Sequence, residues 1–206
     1  MKLIKQLFVS LVLLCATQVF AAPELGRDYK LVQPAQPTRS GNKVEVLEFF
    51  FYGCSHCFHL HPLLSAWEKS KPADVEMVYV PTIFNSAWEP MAYTFYALEL
   101  MGKQKQLDDA LYNAWNSSIT DLSDEAKIAE FVGQHGVDSQ AFKDNYQSFS
   151  VQSKVMRSKQ MTLSYHISGT PTLVVDGKYL ITGLQPEATV KALSEVVEMA
   201  RKEHRH

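Results

Sequence analysis

The chain has little of what marks non-globular proteins: nine glycines and nine prolines in 206 residues. Collagen-like, linker-like and disordered readings are excluded on that ground. It also lacks a basic surplus. Twenty Lys and Arg stand against 22 Asp and Glu, a formal net charge of −2, which argues against a nucleic-acid partner. Cysteine is scarce too. Three cysteines are too few for a disulfide scaffold but enough for one site. No apolar run approaches the about 20 residues a membrane span needs. What remains is 46% hydrophobic and 20% charged, enough for one large domain or one domain carrying an insertion.

The ten-residue apolar stretch Leu7–Ala16 follows Lys2 and Lys5 and precedes Val19-Phe20-Ala21. That is the basic, apolar and small-residue order of a secretory signal, with cleavage expected after Ala21. A lipoprotein signal would need a small residue before Cys15, where Leu14 stands. Cleavage removes two lysines and no acid, moving the net charge from −2 to −4. It also removes Cys15 and leaves Cys54 and Cys57 as the mature chain's cysteines. An exported, periplasmic protein is expected, in a compartment where thiols oxidise.

The patterning predicts an α/β protein. Asp28–Val32 reads as a short edge strand. Val44–Tyr52 (VEVLEFFFY) is apolar on both alternating faces apart from its glutamates, as in a strand covered on both sides. A helix should run from Cys54 to about Ser70, with a kink at Pro62, and Val75–Val80 reads as the next strand. The 91 residues from Pro81 to Pro171 far exceed the dozen a crossover requires, so a helical insertion is predicted. Its helix starts are expected at the capping box Ser86-x-x-Glu89, at Lys103, after Ser123, after Asp138 and near Ser150. Thr172–Val175 and Tyr179–Thr182 form a hairpin about Asp176-Gly177. Pro186 opens a last helix with Val190, Leu193, Val197 and Ala200 as its apolar stripe.

The chemistry concentrates in Cys54-Ser55-His56-Cys57, placed after a buried strand and at a helix start. Free N–H groups and the helix dipole there favour an anion, lowering the Cys54 pKa. His56 would add to that as a cation or a neutral donor. Cys57, one turn in, should be the buried, resolving thiol, as two-step disulfide exchange requires. Other readings stay open at this stage. One C-x-x-C is half a zinc site, although His59 and His61 cannot both share the cysteines' helix face. Haem attachment wants histidine where Phe58 stands. A static disulfide would close too small a loop to stabilise much. Ser168-Gly169-Thr170-Pro171 before an apolar strand is, alone, a turn. His59, His61 and His166 read as surface or packing residues.

Taken together, Val46–Cys57 (VLEFFFYGCSHC), Pro62, Thr170-Pro171 and Thr172–Gly183 (TLVVDGKYLITG) resemble the thioredoxin-fold family of DsbA-type periplasmic thiol:disulfide oxidases, from about Tyr29 to the last helix. The resemblance implies a thioredoxin fold with an inserted helical domain: residues 22–84 and 150–206 thioredoxin-like, 85–149 inserted. It implies that Cys54 is the nucleophile and Cys57 the resolving thiol, with His56 stabilising the Cys54 thiolate. Thr170-Pro171 would be a cis bond against the disulfide, the Thr170 backbone pairing with substrate. Glu48 matches the family's buried acid that moves protons for Cys57. Two positions depart. Ser55 stands where well-known members have proline, implying a less oxidising potential. Tyr79 stands where some members have a lysine that pairs with the acid.

The implied function is donation of the Cys54–Cys57 disulfide to unfolded or newly exported cysteine-containing proteins, without cofactor or metal. A quinone-linked membrane oxidase of the DsbB type would reoxidise the dithiol, and clients would bind as extended segments in a shallow apolar groove. A monomer is expected. The competing functions are disulfide isomerase or reductase, and a redox-inactive peptide- or metal-binding module.

Overall fold

The computed structural model describes residues 22–117 and 120–205. The predicted signal segment 1–21, with Cys15, lies outside the described residues. The element order is β1 (Lys30–Leu31), β2 (Val44–Phe50), α1 (Ser55–Ser70), β3 (Val75–Pro81), a 3-10 turn (Ser86–Trp88), α2 (Glu89–Leu100), α3 (Gln104–Asn116), α4 (Glu125–Gln134), α5 (Ser139–Tyr146), α6 (Phe149–Ser164), β4 (Thr172–Val175), β5 (Tyr179–Thr182) and α7 (Pro186–His204).

The five strands form one sheet in the order β1-β5-β4-β2-β3. β2 and β3 run parallel, with Glu48 opposite Tyr79; the other pairs are antiparallel. Every residue of β2 is buried, because both faces are covered. Val44 and Val46 pack with Leu60, Leu64 and Trp67 of α1 and with Leu193 and Val197 of α7. Leu47 and Phe49 point the other way, toward Tyr165 and Ile167 after α6. Glu48 keeps the parity of Val46 and therefore lies on the α1 face.

A third cluster joins the C-terminal end of β2 to the helices between β3 and β4. Phe50, Phe51, Tyr52 and Cys57 share it with Phe95, Leu107, Leu111, Phe131 and Phe142. The turn that carries Cys54 is thus held at the seam between sheet and helical insertion.

β4 and β5 fall where the pattern placed them, and the turn between them shows why. Asp176 and Gly177 have φ of 53° and 66°, a left-handed pair in the three-residue connection between Val175 and Tyr179, closed by the Lys178 N–H to the Val175 carbonyl at 3.0 Å. At Gly177 a Cβ would sit 2.0 Å from the Gln36 carbonyl oxygen, so only glycine fits. Two capping residues differ from expectation. Asn85, not Ser86, caps the turn that leads into α2, its side chain accepting from the Ala87 N–H. Asp124, not Ser123, caps α4, accepting from the Lys127 N–H. In both cases the neighbour holds the extended backbone that a capping residue requires. The predicted strand Val44–Tyr52 stops at Phe50, since Phe51–Cys54 is already a turn closed by the Cys54 N–H to the Phe51 carbonyl at 3.0 Å.

Candidate active site

Cys54 is the N-cap of α1, with extended backbone, and its sulfur accepts the Cys57 N–H at 3.4 Å. The thiol also lies 3.2 Å from the Thr170 carbonyl, to which it donates when protonated. Both cysteines are free thiols here, Cys54 half-buried and Cys57 buried. The turn that presents Cys54 is shaped by aromatics: Phe51 stacks on Trp88 with centroids 3.9 Å apart and meets Trp115 edge-on. Gly53 is required beneath them, because a Cβ there would lie 1.7 Å from the Trp115 indole nitrogen.

Electrostatics split the two thiols. The Cys54 pKa falls to about 5. The hydrogen bond from the Cys57 thiol is the main cause, working against partial burial and aided by the Thr170 side chain and the Cys57 and His56 N–H groups. Cys57 moves the opposite way, pushed up well above the usual range by burial and then by the hydrogen bond and charge of Cys54. A helix start offers free N–H groups to its cap and none to the residue one turn further in.

Thr170-Pro171, distant in sequence, is beside Cys54, and its peptide bond is cis. His56 is exposed, and its ring makes no hydrogen bond among the described residues; its backbone N–H is the group that acts on Cys54. His59 and His166 are exposed. His61 packs on Tyr112 with centroids 4.6 Å apart and pairs with Asp109 at 3.0 Å. Among the described residues no group of three or more His, Cys, Asp or Glu side chains is placed to hold a metal ion.

Glu48 is 2% exposed, and its Oε1 has no hydrogen-bond partner. Burial raises its pKa to about 8, with the charges of Asp108, Glu68 and Cys54 adding to the effect. Its strand neighbour Tyr79 donates to Glu68 Oε2 at 2.8 Å, and Lys105 pairs with Glu68 Oε1 at 3.0 Å. Asp108 accepts from Tyr52 at 2.5 Å and from Gln104. Sequence reasoning did not single out Glu68 or Asp108. A signal existed for Glu68: it stands eleven residues after Cys57, on the stripe that includes Leu64, where an acid is out of place.

The chain is similar to known proteins over most of its length. The family described as DSBA-like thioredoxin domain matches residues 80–194, a span that contains the helical insertion, Thr170-Pro171 and the hairpin. The thiol:disulfide interchange protein DsbA of Azotobacter vinelandii is 34% identical over 181 residues, covering 86% of this chain and 85% of that one. The Burkholderia cepacia protein of the same name is 38% identical over 160 residues, covering 77% and 76%. Among solved structures, Pseudomonas aeruginosa DsbA superposes with a TM-score of 0.84 at 30% identity, covering 88% of this chain and 96% of that one. The oxidoreductase DsbA of Xylella fastidiosa gives 0.83 at 28% identity, covering 88% and 100%. The chain belongs to the DsbA-like thioredoxin family and is a thiol:disulfide oxidoreductase.

Proposed function

We propose that the chain works in the periplasm as a dithiol oxidase that passes the Cys54–Cys57 disulfide to newly exported, cysteine-containing proteins. A client thiolate attacks Cys54 Sγ. The Cys54–Cys57 bond breaks, a client–Cys54 disulfide forms, and Cys57 leaves as a thiolate that takes up a proton. A second client thiolate then attacks the client sulfur of that mixed disulfide. The client leaves oxidised, and Cys54 departs as a thiolate. Two electrons move from two client thiols to one disulfide.

The observation that carries this reading is the Cys54 pKa of about 5 at a helix start. A stabilised leaving thiolate stabilises the reduced protein, and a stabilised reduced form makes the disulfide a strong donor. His56 contributes through its N–H, and Glu48 is the proton partner of Cys57, the buried thiol whose affinity its charge raises. Thr170 and Pro171 border the sulfur where an extended client strand would lie. The secretory pattern of residues 1–21 supports export, and a quinone-linked membrane oxidase of the DsbB type would restore the disulfide. No helix among the described residues is long and apolar enough to cross a membrane.

Oxidative refolding of a reduced, disulfide-containing protein tests this. The wild-type chain should restore client activity catalytically when an external oxidant is present. Cys54→Ser should abolish this, and Cys57→Ser should accumulate a client–Cys54 mixed disulfide. Reduction of client disulfides without net oxidation would contradict the oxidase direction.

A further inference from the structure

Among the described residues the three most exposed large apolar side chains are Phe149, Leu163 and Met156, at 84%, 74% and 63% of their full surface. All three belong to α6. They stand seven residues apart, two helical turns less about 20°, and so form one row along the helix. From Phe149 to Leu163 the row is about 21 Å long. The opposite side of α6 is spent on the core, where Val151, Val155, Ser158 and Thr162 are buried. Single exposed apolar residues are ordinary, but a continuous row marks a surface with a partner.

The row is nearly free of charge. Lys154 pairs with Glu99 and Lys159 with Glu89, each at 2.7 Å, and both acids lie on α2. The exposed places between the three apolar residues are filled by Gln152, Ser153 and Gln160. Arg157 stands about 100° around the helix from Met156, at the border of the row, and α6 contains no acid. The row is also complementary to itself. Met156 is its midpoint, with Phe149 seven residues before it and Leu163 seven after, and Gln152 and Gln160 stand four residues to either side. An antiparallel copy of the helix therefore sets Phe149 against Leu163 and Met156 against Met156. It sets Gln152 and Ser153 opposite Lys159 and Gln160, so the lysine meets uncharged groups and no like charges oppose each other.

We propose that this face of α6 docks a second copy of the chain, the two helices packing antiparallel about Met156 in a twofold contact. A helix ridge fits the grooves of another helix, whereas an extended client segment needs a sheet edge or a concave groove. Charge argues against a lipid surface: the lysines of α6 are tied to Glu99 and Glu89, and a chain of net charge −2 is repelled by anionic headgroups. The three side chains offer on the order of 400 Å² of apolar surface. A standard interface covers about 800 Å² per partner, which this face reaches only with its polar flanks. The association is therefore weak, with a dissociation constant on the order of 10–100 µM. The monomer expected from the sequence is its dilute form.

Sedimentation equilibrium of the oxidised, exported chain between about 10 µM and about 1 mM tests this. Closing the Cys54–Cys57 disulfide prevents cross-links between chains. The wild type should pass from monomer to dimer and no further, since a twofold contact is closed. Phe149→Lys and Leu163→Glu should each weaken the association about tenfold, and Met156→Glu should do the same by placing two like charges on the axis. An equimolar mixture of Phe149→Lys and Leu163→Glu should recover it about tenfold over either variant alone. In the antiparallel register the introduced lysine of one chain faces the introduced glutamate of the other, and the second contact of that pair keeps both native side chains. Recovery also shows that both variants are folded. A wild type that stays monomeric throughout the range overturns the proposal. Association that the three substitutions leave unchanged overturns it too, because the contact then lies elsewhere. Weakening by the single variants without recovery in the mixture overturns the antiparallel copy. Binding of the wild type to vesicles of anionic phospholipid, lost in the variants and without self-association, overturns it in favour of a lipid surface.

Discussion

Cys54 and Cys57 stand three residues apart on one turn of α1, yet their surroundings oppose each other. Cys54 occupies the cap, beside the Cys57 and His56 N–H groups, and ionises near pH 5. Cys57 lies buried in the cluster that holds Phe50, Tyr52 and Tyr112, and keeps its proton far longer. The same sulfur chemistry is therefore divided by position: an accessible leaving group outside, a protonated thiol inside. The difference teaches that the asymmetry of a C-x-x-C comes from the hydrogen bonds that converge on the capping sulfur and from the burial of the other thiol.

The largest effect expected from the inner half concerns stability. Glu48 titrates at about 8 in the fold against 4.5 in the unfolded chain. A raised carboxyl pKa makes ionisation favour the unfolded state. The cost is absent below about pH 4.5, grows as pH rises, and levels off above about pH 8. At pH 7 the 2.5-unit gap corresponds to about 3 kcal/mol. Glu48→Gln keeps the shape and removes the charge, so it should exceed the wild type by about 3 kcal/mol in urea unfolding at pH 7 and converge with it near pH 4.5. Parallel stability curves would show that the inner half holds no displaced acid.

The outer half predicts a smaller, opposite dependence. In the reduced protein the Cys54 pKa is depressed from 9.0 to about 5. A depressed thiol pKa stabilises the fold fully above the unfolded value, and that stabilisation is lost as pH falls through the folded value. At pH 7 about two units remain expressed, and none at pH 4; allowing for screening of a half-open site, this is about 2 kcal/mol. The entropic effect of closing the Cys54–Cys57 loop does not depend on pH. The stability of the reduced form relative to the oxidised form should therefore drop by about 2 kcal/mol between pH 7 and pH 4. Calorimetry of both forms at the two pH values measures it, and a constant difference would remove the thiolate from the account.

A third effect concerns the turn that keeps the halves apart. Gly53→Ala forces a methyl group against Trp115 and Phe51 and should cost about 1–3 kcal/mol in thermal or urea unfolding. The displaced Cys54 should then titrate closer to an ordinary thiol. An unchanged titration would mean that the aromatic turn does not set the sulfur's place.

Much of this arrangement was legible along the chain, and where it was not the reason is physical. β2 could be read because both of its faces are apolar. The β4–β5 hairpin could be read because Asp-Gly supplies a left-handed pair. Cys54 at the helix start follows from a strand, a glycine and a helical stripe in succession. The caps at Asn85 and Asp124 were missed by one residue because two polar residues stand together and only the backbone decides which is extended. The convergence of Tyr79, Glu68 and Asp108 about Glu48 draws on β3, α1 and α3. No local pattern records a meeting of that kind, although an acid on the α1 stripe marked one member. The pattern names His56 as a stabiliser of the Cys54 thiolate but not that its N–H lies toward the sulfur, since residue type says nothing of which face of the first turn a side chain takes.

The most direct test of the split between the two thiols is the thiolate ultraviolet absorbance of the reduced protein as a function of pH. The account predicts one ionisation, with the amplitude of a single thiolate and a midpoint near 5, lost in Cys54→Ser and kept in Cys57→Ser, while Cys57 stays protonated through neutral pH and beyond. A midpoint near the ordinary value of 9.0, or two thiolates appearing together, would contradict it.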